Sequence, residues 1–243
     1  MMLKRAGRDV RLVWLYVAAM LLDILLWLLV LARVEAVRIP ANLRTMADVR
    51  FDFPYSHGLL ASVCWSAAAF PFGWWVVGRK AKGRMAAALV LAAAVFSHFV
   101  LDWLVHAPEL PLAGRGSTLL GFHLLQNPPV ALGVETAIAI AGVWVYLKTQ
   151  SLGRRRKLAL LIVMTLVAAM TVLGQLSHTA PPSSEAMAGS SLATIVTLGL
   201  FFWWVERGST QPASFRGEAS MPASGAGATG VSPMQPSRRR RRT

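Results

Sequence analysis

The sequence predicts an all-α protein: a polytopic membrane bundle of about six transmembrane helices, both termini cytoplasmic, with a disordered C-terminal tail. Three observations carry this. Hydrophobic residues make up 55% of the chain and charged residues only 15%, with a mean hydropathy of +0.51, whereas soluble domains are about one-quarter charged. Apolar runs recur at the length a bilayer needs, about 20 residues. Lys and Arg gather in alternate connections, as they do on the cytoplasmic side of membrane proteins.

The expected spans are 12–32, 57–77, 85–105, 129–147, 158–176 and 186–205. The first carries Asp23, exceeds a signal-peptide core and lacks a small-residue cleavage pattern, so it reads as a retained helix. The second opens at His57 and contains Cys64, which has no partner for an internal disulfide and reads as a packing residue. The third ends in His98, Asp102 and His106, spaced so that a helix stacks them on one face. The fourth carries Glu135, and the fifth closes on Gln175 and His178.

Orientation follows from the connections. Lys4, Arg5, Arg8 and Arg11 precede the first span; Arg79, Lys80, Lys82 and Arg84 follow the second; Lys148, Arg154, Arg155, Arg156 and Lys157 follow the fourth. These belong inside. The third connection has one cation, Arg115, and the fifth has none, so both are expected outside. The first connection mixes Arg33, Arg38, Arg44 and Arg50 with Glu35, Asp48 and Asp52, and alternation places it outside too. Residues 1–207 form the transmembrane domain. The tail, 208–243, is rich in Ser, Pro, Gly and Ala and is expected to be disordered. Its run Arg238 to Arg242 would attract anionic lipid headgroups from the cytoplasmic side, at ~1 kcal/mol per residue. An arginine run without a reading element does not point to nucleic acid.

On that orientation the buried titratable groups share the outer leaflet. Ionisable side chains within spans are costly and mark sites. Imidazole and carboxylate together suit a divalent metal, zinc first and manganese or iron next. The expected ligands are Asp23, His57, His98 and Asp102; His106 and Glu135 are expected to orient a ligand or to serve as general base. Asp23 is the hardest to explain otherwise, because no Lys or Arg shares its depth. An imidazole four residues from a carboxylate can also be a self-satisfying structural pair.

The segments Tyr55-Ser56-His57-Gly58-Leu59-Leu60, Ser97-His98-Phe99-Val100-Leu101-Asp102 and His106-Ala107-Pro108-Glu109-Leu110-Pro111 resemble those of bacterial inner-membrane metal-dependent hydrolases, some of whose relatives are described as permeases. Leu21-Leu22-Asp23 and Gln126-Asn127-Pro128 leading to Glu135 add to the likeness, which spans about residues 4–150. The resemblance implies an inner-membrane protein with a His/Asp metal centre distantly similar to zinc-dependent phospholipase C. It also implies hydrolysis of a phosphoester or lipid-like substrate. Carried over, it assigns His57, His98, Asp102 and Asp23 as ligands. Members also bear a His ahead of the first-helix acid; none precedes His57 here, so either an upstream segment or a lost ligand is expected.

Two other functions fit parts of the pattern. A proton- or cation-coupled transporter would use Asp23, Asp102, Glu135 and the histidines as a path, but the polar groups stop halfway and no inverted repeat is evident. A haem-binding or structural protein would use His57 and His98 as axial ligands or as packing, with carboxylates as poor company.

Overall fold

The computed structural model describes residues 10–43, 48–77, 84–150, 152–175 and 179–207. Lys4, Arg5, Arg8, Arg44, Arg79, Lys80, Lys82, His178 and the tail with Arg238 to Arg242 lie outside the described residues.

The chain is mainly helical, as its apolar runs require. Helices α1 (Leu12–Ala19) and α2 (Leu21–Leu31) meet at Met20 with a bend of 50°. Helix α3 (Leu59–Phe72) ends in a π-helical turn at Gly73–Val77. The remaining helices are α4 (Arg84–Val105), α5 (Pro128–Thr149), α6 (Arg154–Gln175) and α7 (Ser184–Glu206). Among the described residues four helices are long and apolar enough to cross a bilayer, or five if the bent pair counts as one.

The expected count of six includes one stretch, 57–77, that does not meet this length among the described residues. The second expected span holds a shorter apolar helix, because Pro71 near its end cannot sustain regular i→i−4 bonding. Two small hairpins also interrupt the all-helical expectation: β1 (Ala36–Arg38) pairs antiparallel with β2 (Arg50–Asp52), Val37 opposite Phe51, and β3 (Leu110–Pro111) pairs with β4 (Leu119–Leu120). Val37 is buried between exposed Ala36 and Arg38, the alternation a strand imposes.

The core lies between the α1–α2 pair, α3 and α4. On α4 the ridge Ala87, Leu91, Val95, Phe99 is buried, each residue four after the last. It meets Leu22, Leu26, Trp27 and Val30 of α2 in one apolar cluster that also contains Val37, Val49, Phe53 and Leu110. Close approach depends on small residues: a Cβ at Gly73 would lie 2.9 Å from the Ala88 Cα and 3.0 Å from Leu91 Cδ1. Helices α5 and α6 expose Ile140, Trp144, Leu166, Met170 and Leu173, as a lipid-facing surface does. Cys64, expected in packing, is exposed: it lies on the outer side of α3, away from the buried Ser62 and Ser66.

The first and last helices are tied directly. The Glu206 carboxylate accepts from the backbone amides of Leu12 and Val13, filling donors that open at a helix start. Ser183 caps α7 by accepting from the Ala186 amide at 3.0 Å.

Candidate metal centre

Four side chains from three parts of the core converge. Asp23 comes from α2, His57 from the turn before α3, and His98 and Asp102 from α4, one ridge over from its buried apolar row. His57 Nε2 lies 3.6 Å from Asp23 Oδ1 and 3.3 Å from Asp102 Oδ2. His98 Nε2 lies 3.7 and 3.2 Å from the same two atoms.

Hydrogen-bond accounting sets what these rings present. His98 Nδ1 is 2.7 Å from the Ala19 carbonyl oxygen, which only accepts, so Nδ1 carries the hydrogen. Ala19 is the last residue of α1, where the break at Met20 leaves a carbonyl without a regular intrahelical donor. His57 is fixed through a longer chain. Glu35, buried, accepts from the amides of Tyr55 (2.8 Å) and Ser56 (2.9 Å) and lies 2.7 Å from Ser56 Oγ. The hydroxyl gives its single hydrogen to that carboxylate, so at 2.8 Å from His57 Nδ1 it can only accept. In its neutral form each imidazole, with Nδ1 carrying the hydrogen, presents a bare Nε2 lone pair to the two carboxylates.

Such a meeting of acceptors lacks a positive partner. Asp102 Oδ2 is buried and receives no hydrogen bond of good geometry. Two occupants relieve this: protons on both rings, or a cation. The spacing is compatible with either, and the group whose donor atoms come close enough together for an ion is Asp23, His57 and His98, without Asp102. Donors at 2.0–2.1 Å from a tetrahedral ion stand about 3.3 Å apart, and the four nitrogen–oxygen separations run from 3.2 to 3.7 Å. The donor atoms of Asp23, His57 and His98 all lie within 4.8 Å of one another, so this cluster could hold a metal ion.

His106 stands just past the end of α4. Its Nδ1 is 2.7 Å from Glu109 Oε1, and Phe53 places its ring 5.0 Å from that of His57 and 6.1 Å from that of His106. Burial pulls the His106 pKa down, but the Glu109 hydrogen bond and the nearby Asp102 and Asp23 carboxylates outweigh it, so the net shift is upward. Glu135 is engaged on a different pair of helices: its carboxylate accepts from Gln175 Nε2 of α6 at 3.0 and 3.3 Å.

Two further residues carry roles that the sequence did not assign. Glu35 counted only as a loop charge and Glu109 only as part of a motif. Their task appears in the fold because Glu35 is 21 residues from Ser56 in sequence. Arg115 helps hold this end together, donating to the Val34 carbonyl at 2.8 Å and lying 3.7 Å from Asp52. Compared with known proteins, the chain matches no family model, no curated protein and no solved structure.

Proposed function

We propose that this chain is a membrane-embedded, metal-dependent hydrolase acting at the outer face of a bacterial inner membrane on a phosphoester or lipid-like substrate. One observation carries the metal half: two imidazoles, each pinned at Nδ1, turn their Nε2 atoms onto Asp23 and Asp102. Asp23, His57, His98 and Asp102 would hold the ion. A bound divalent ion supplies Lewis acidity toward a phosphoryl or acyl oxygen and toward water.

The chain's own residues supply the remainder. Asp102 is the deeper carboxylate and Asp23 the looser one, its oxygen farther from both rings. Asp23 would thus be the least firmly held of the residues that hold the ion. His106, its Nδ1–H directed at Glu109, keeps Nε2 to receive a proton from water, with Glu109 stabilising the imidazolium that results. Glu135 is the second candidate for this base. The hydrolytic half rests on this dyad beside the centre and on the resemblance of the His57, His98–Asp102 and His106–Glu109 segments. The outer-face placement rests on the connection after His106, whose single cation is Arg115, and on alternation, which puts the mixed-charge connection before His57 on the same side.

Transport is less well supported. Among the described residues one group of three or more His, Cys, Asp and Glu donors is assembled, which serves one centre and not a path across the bilayer.

The test is metal analysis of the purified full chain beside the double variant His98→Ala/Asp102→Ala, with hydrolysis of a chromogenic phosphodiester followed in parallel. Wild type is expected to hold metal and to lose turnover to a chelator; the double variant should do neither. A normal metal content in the double variant overturns the centre. Among bases, loss of rate with retained metal in His106→Gln, and little change in Glu135→Gln, is the expected split.

A further inference from the structure

The four donors are not equally covered. Side-chain exposure is 4% for His57, 11% for His98 and 19% for Asp102, but 31% for Asp23. The exposed side of Asp23 faces a groove of about 340 Å³ on the seam between α2 and α7, lined by Asp23, Trp27, Ser190, Ser191, Thr194 and Ile195.

Two of the three hydroxyls that line the groove are spent as donors. Ser190 Oγ donates to the Met187 carbonyl at 3.0 Å and Thr194 Oγ1 donates to the Ser190 carbonyl at 2.9 Å, so both hydroxyl hydrogens are turned to the backbone. Their oxygens keep lone pairs for whatever occupies the groove, and the Asp23 carboxylate adds negative charge. Among the described residues no Lys or Arg lines it. A cleft whose only charged lining group is the Asp23 carboxylate repels phosphate and carboxylate and attracts cations and ligands that donate. Water held by a cation is the strongest such donor. An ion with six waters needs about 200 Å³ at the volume of liquid water, and the groove exceeds this. Hydroxyl-bearing residues on a membrane-length helix, placed against the one exposed ligand, are the pattern of a path into the centre.

We propose that this groove is an outer cation subsite, in which a hydrated divalent cation is held by Asp23 and the α7 hydroxyl oxygens before exchanging water for the inner donors. The proposal rests on the metal-centre reading.

The experiment places a cysteine in the groove of the otherwise intact chain. In a Cys64→Ala background, which removes the native thiol, Ser191→Cys is treated with membrane-impermeant thiosulfonates of either charge, with and without Zn²⁺; Thr194→Cys is the companion variant should the first misfold. The cationic reagent is expected to react about ten-fold faster than the anionic one, as fields in a charged cleft produce, and Zn²⁺ is expected to slow both. Absence of reaction with either aqueous reagent, equal rates for the two charges, or rates indifferent to Zn²⁺ overturns the subsite. A second readout is the rate of Co²⁺ uptake, followed by its visible absorption: Ser191→Leu should slow uptake about ten-fold and leave the final spectrum unchanged, whereas an unchanged rate counts against the subsite. Wild-type metal content separates the two readings. A wild type that takes up no metal sinks the centre itself, while metal bound without charge preference or protection sinks the groove alone.

Discussion

At the level of single side chains, the assembly turns on which nitrogen of each imidazole carries a hydrogen. Ser56→Ala removes the acceptor for His57 Nδ1–H, and Glu35→Gln replaces the carboxylate that commits the Ser56 hydroxyl. Either change is expected to weaken metal binding 10–100-fold, as loss of outer partners does elsewhere, measured by competition with a chromophoric chelator. An affinity equal to wild type in both variants would remove the relay from the account. His106 gives a pH signature in chelator-treated protein. Its folded pKa is raised, so the stability it lends through Glu109 is complete below its ordinary value of 6.5 and is lost as pH climbs through the higher folded value. Thermal unfolding of wild type minus Glu109→Gln should therefore narrow with rising pH above neutrality; a constant difference would deny the pair this role. Asp23, His57, His98 and Asp102 were legible in sequence because polar groups in apolar runs stand out. Glu35 was not, because an acid in a mixed-charge connection looks like any solvated charge until the fold buries it against Ser56.

At the level of elements, the close approach of the π-helical turn after α3 to α4 depends on having no side chain at Gly73. Gly73→Val forces a Cβ against the Ala88 backbone and is expected to cost about 1–3 kcal/mol, read as a lowered midpoint of unfolding in detergent; an unchanged midpoint would show that the π-helical turn yields freely. The long helices α4 to α7 were readable from hydropathy alone, within a residue or two at most ends. The break at Met20 was not, since no Pro or Gly marks it and both sides are equally apolar. Nor were the hairpins, whose pairing of Val37 with Phe51 joins residues across a connection whose charges dominate its pattern. What the break accomplishes became visible only with His98 in place: a continuous helix would use the Ala19 carbonyl internally.

At the level of the whole molecule, the bundle is closed by its extremes. The Glu206 carboxylate holds the first amides of α1, and Tyr16 donates to the Ile195 carbonyl at 3.2 Å. Glu206→Ala leaves those amides without this partner and is expected to lower stability by about 1 kcal/mol. The loss should be seen as well in faster proteolysis of the N-terminal region; no change in either would mean the closure contributes nothing. The joint at Met20 has a mechanical corollary. One arm of it holds the oxygen that aims His98, and the other carries Asp23 itself. Any flexing of that elbow misaligns a ligand and its guide in the same stroke, so an ion seated between them would act as a rivet, and the angle of the first membrane crossing would record whether the rivet is in place.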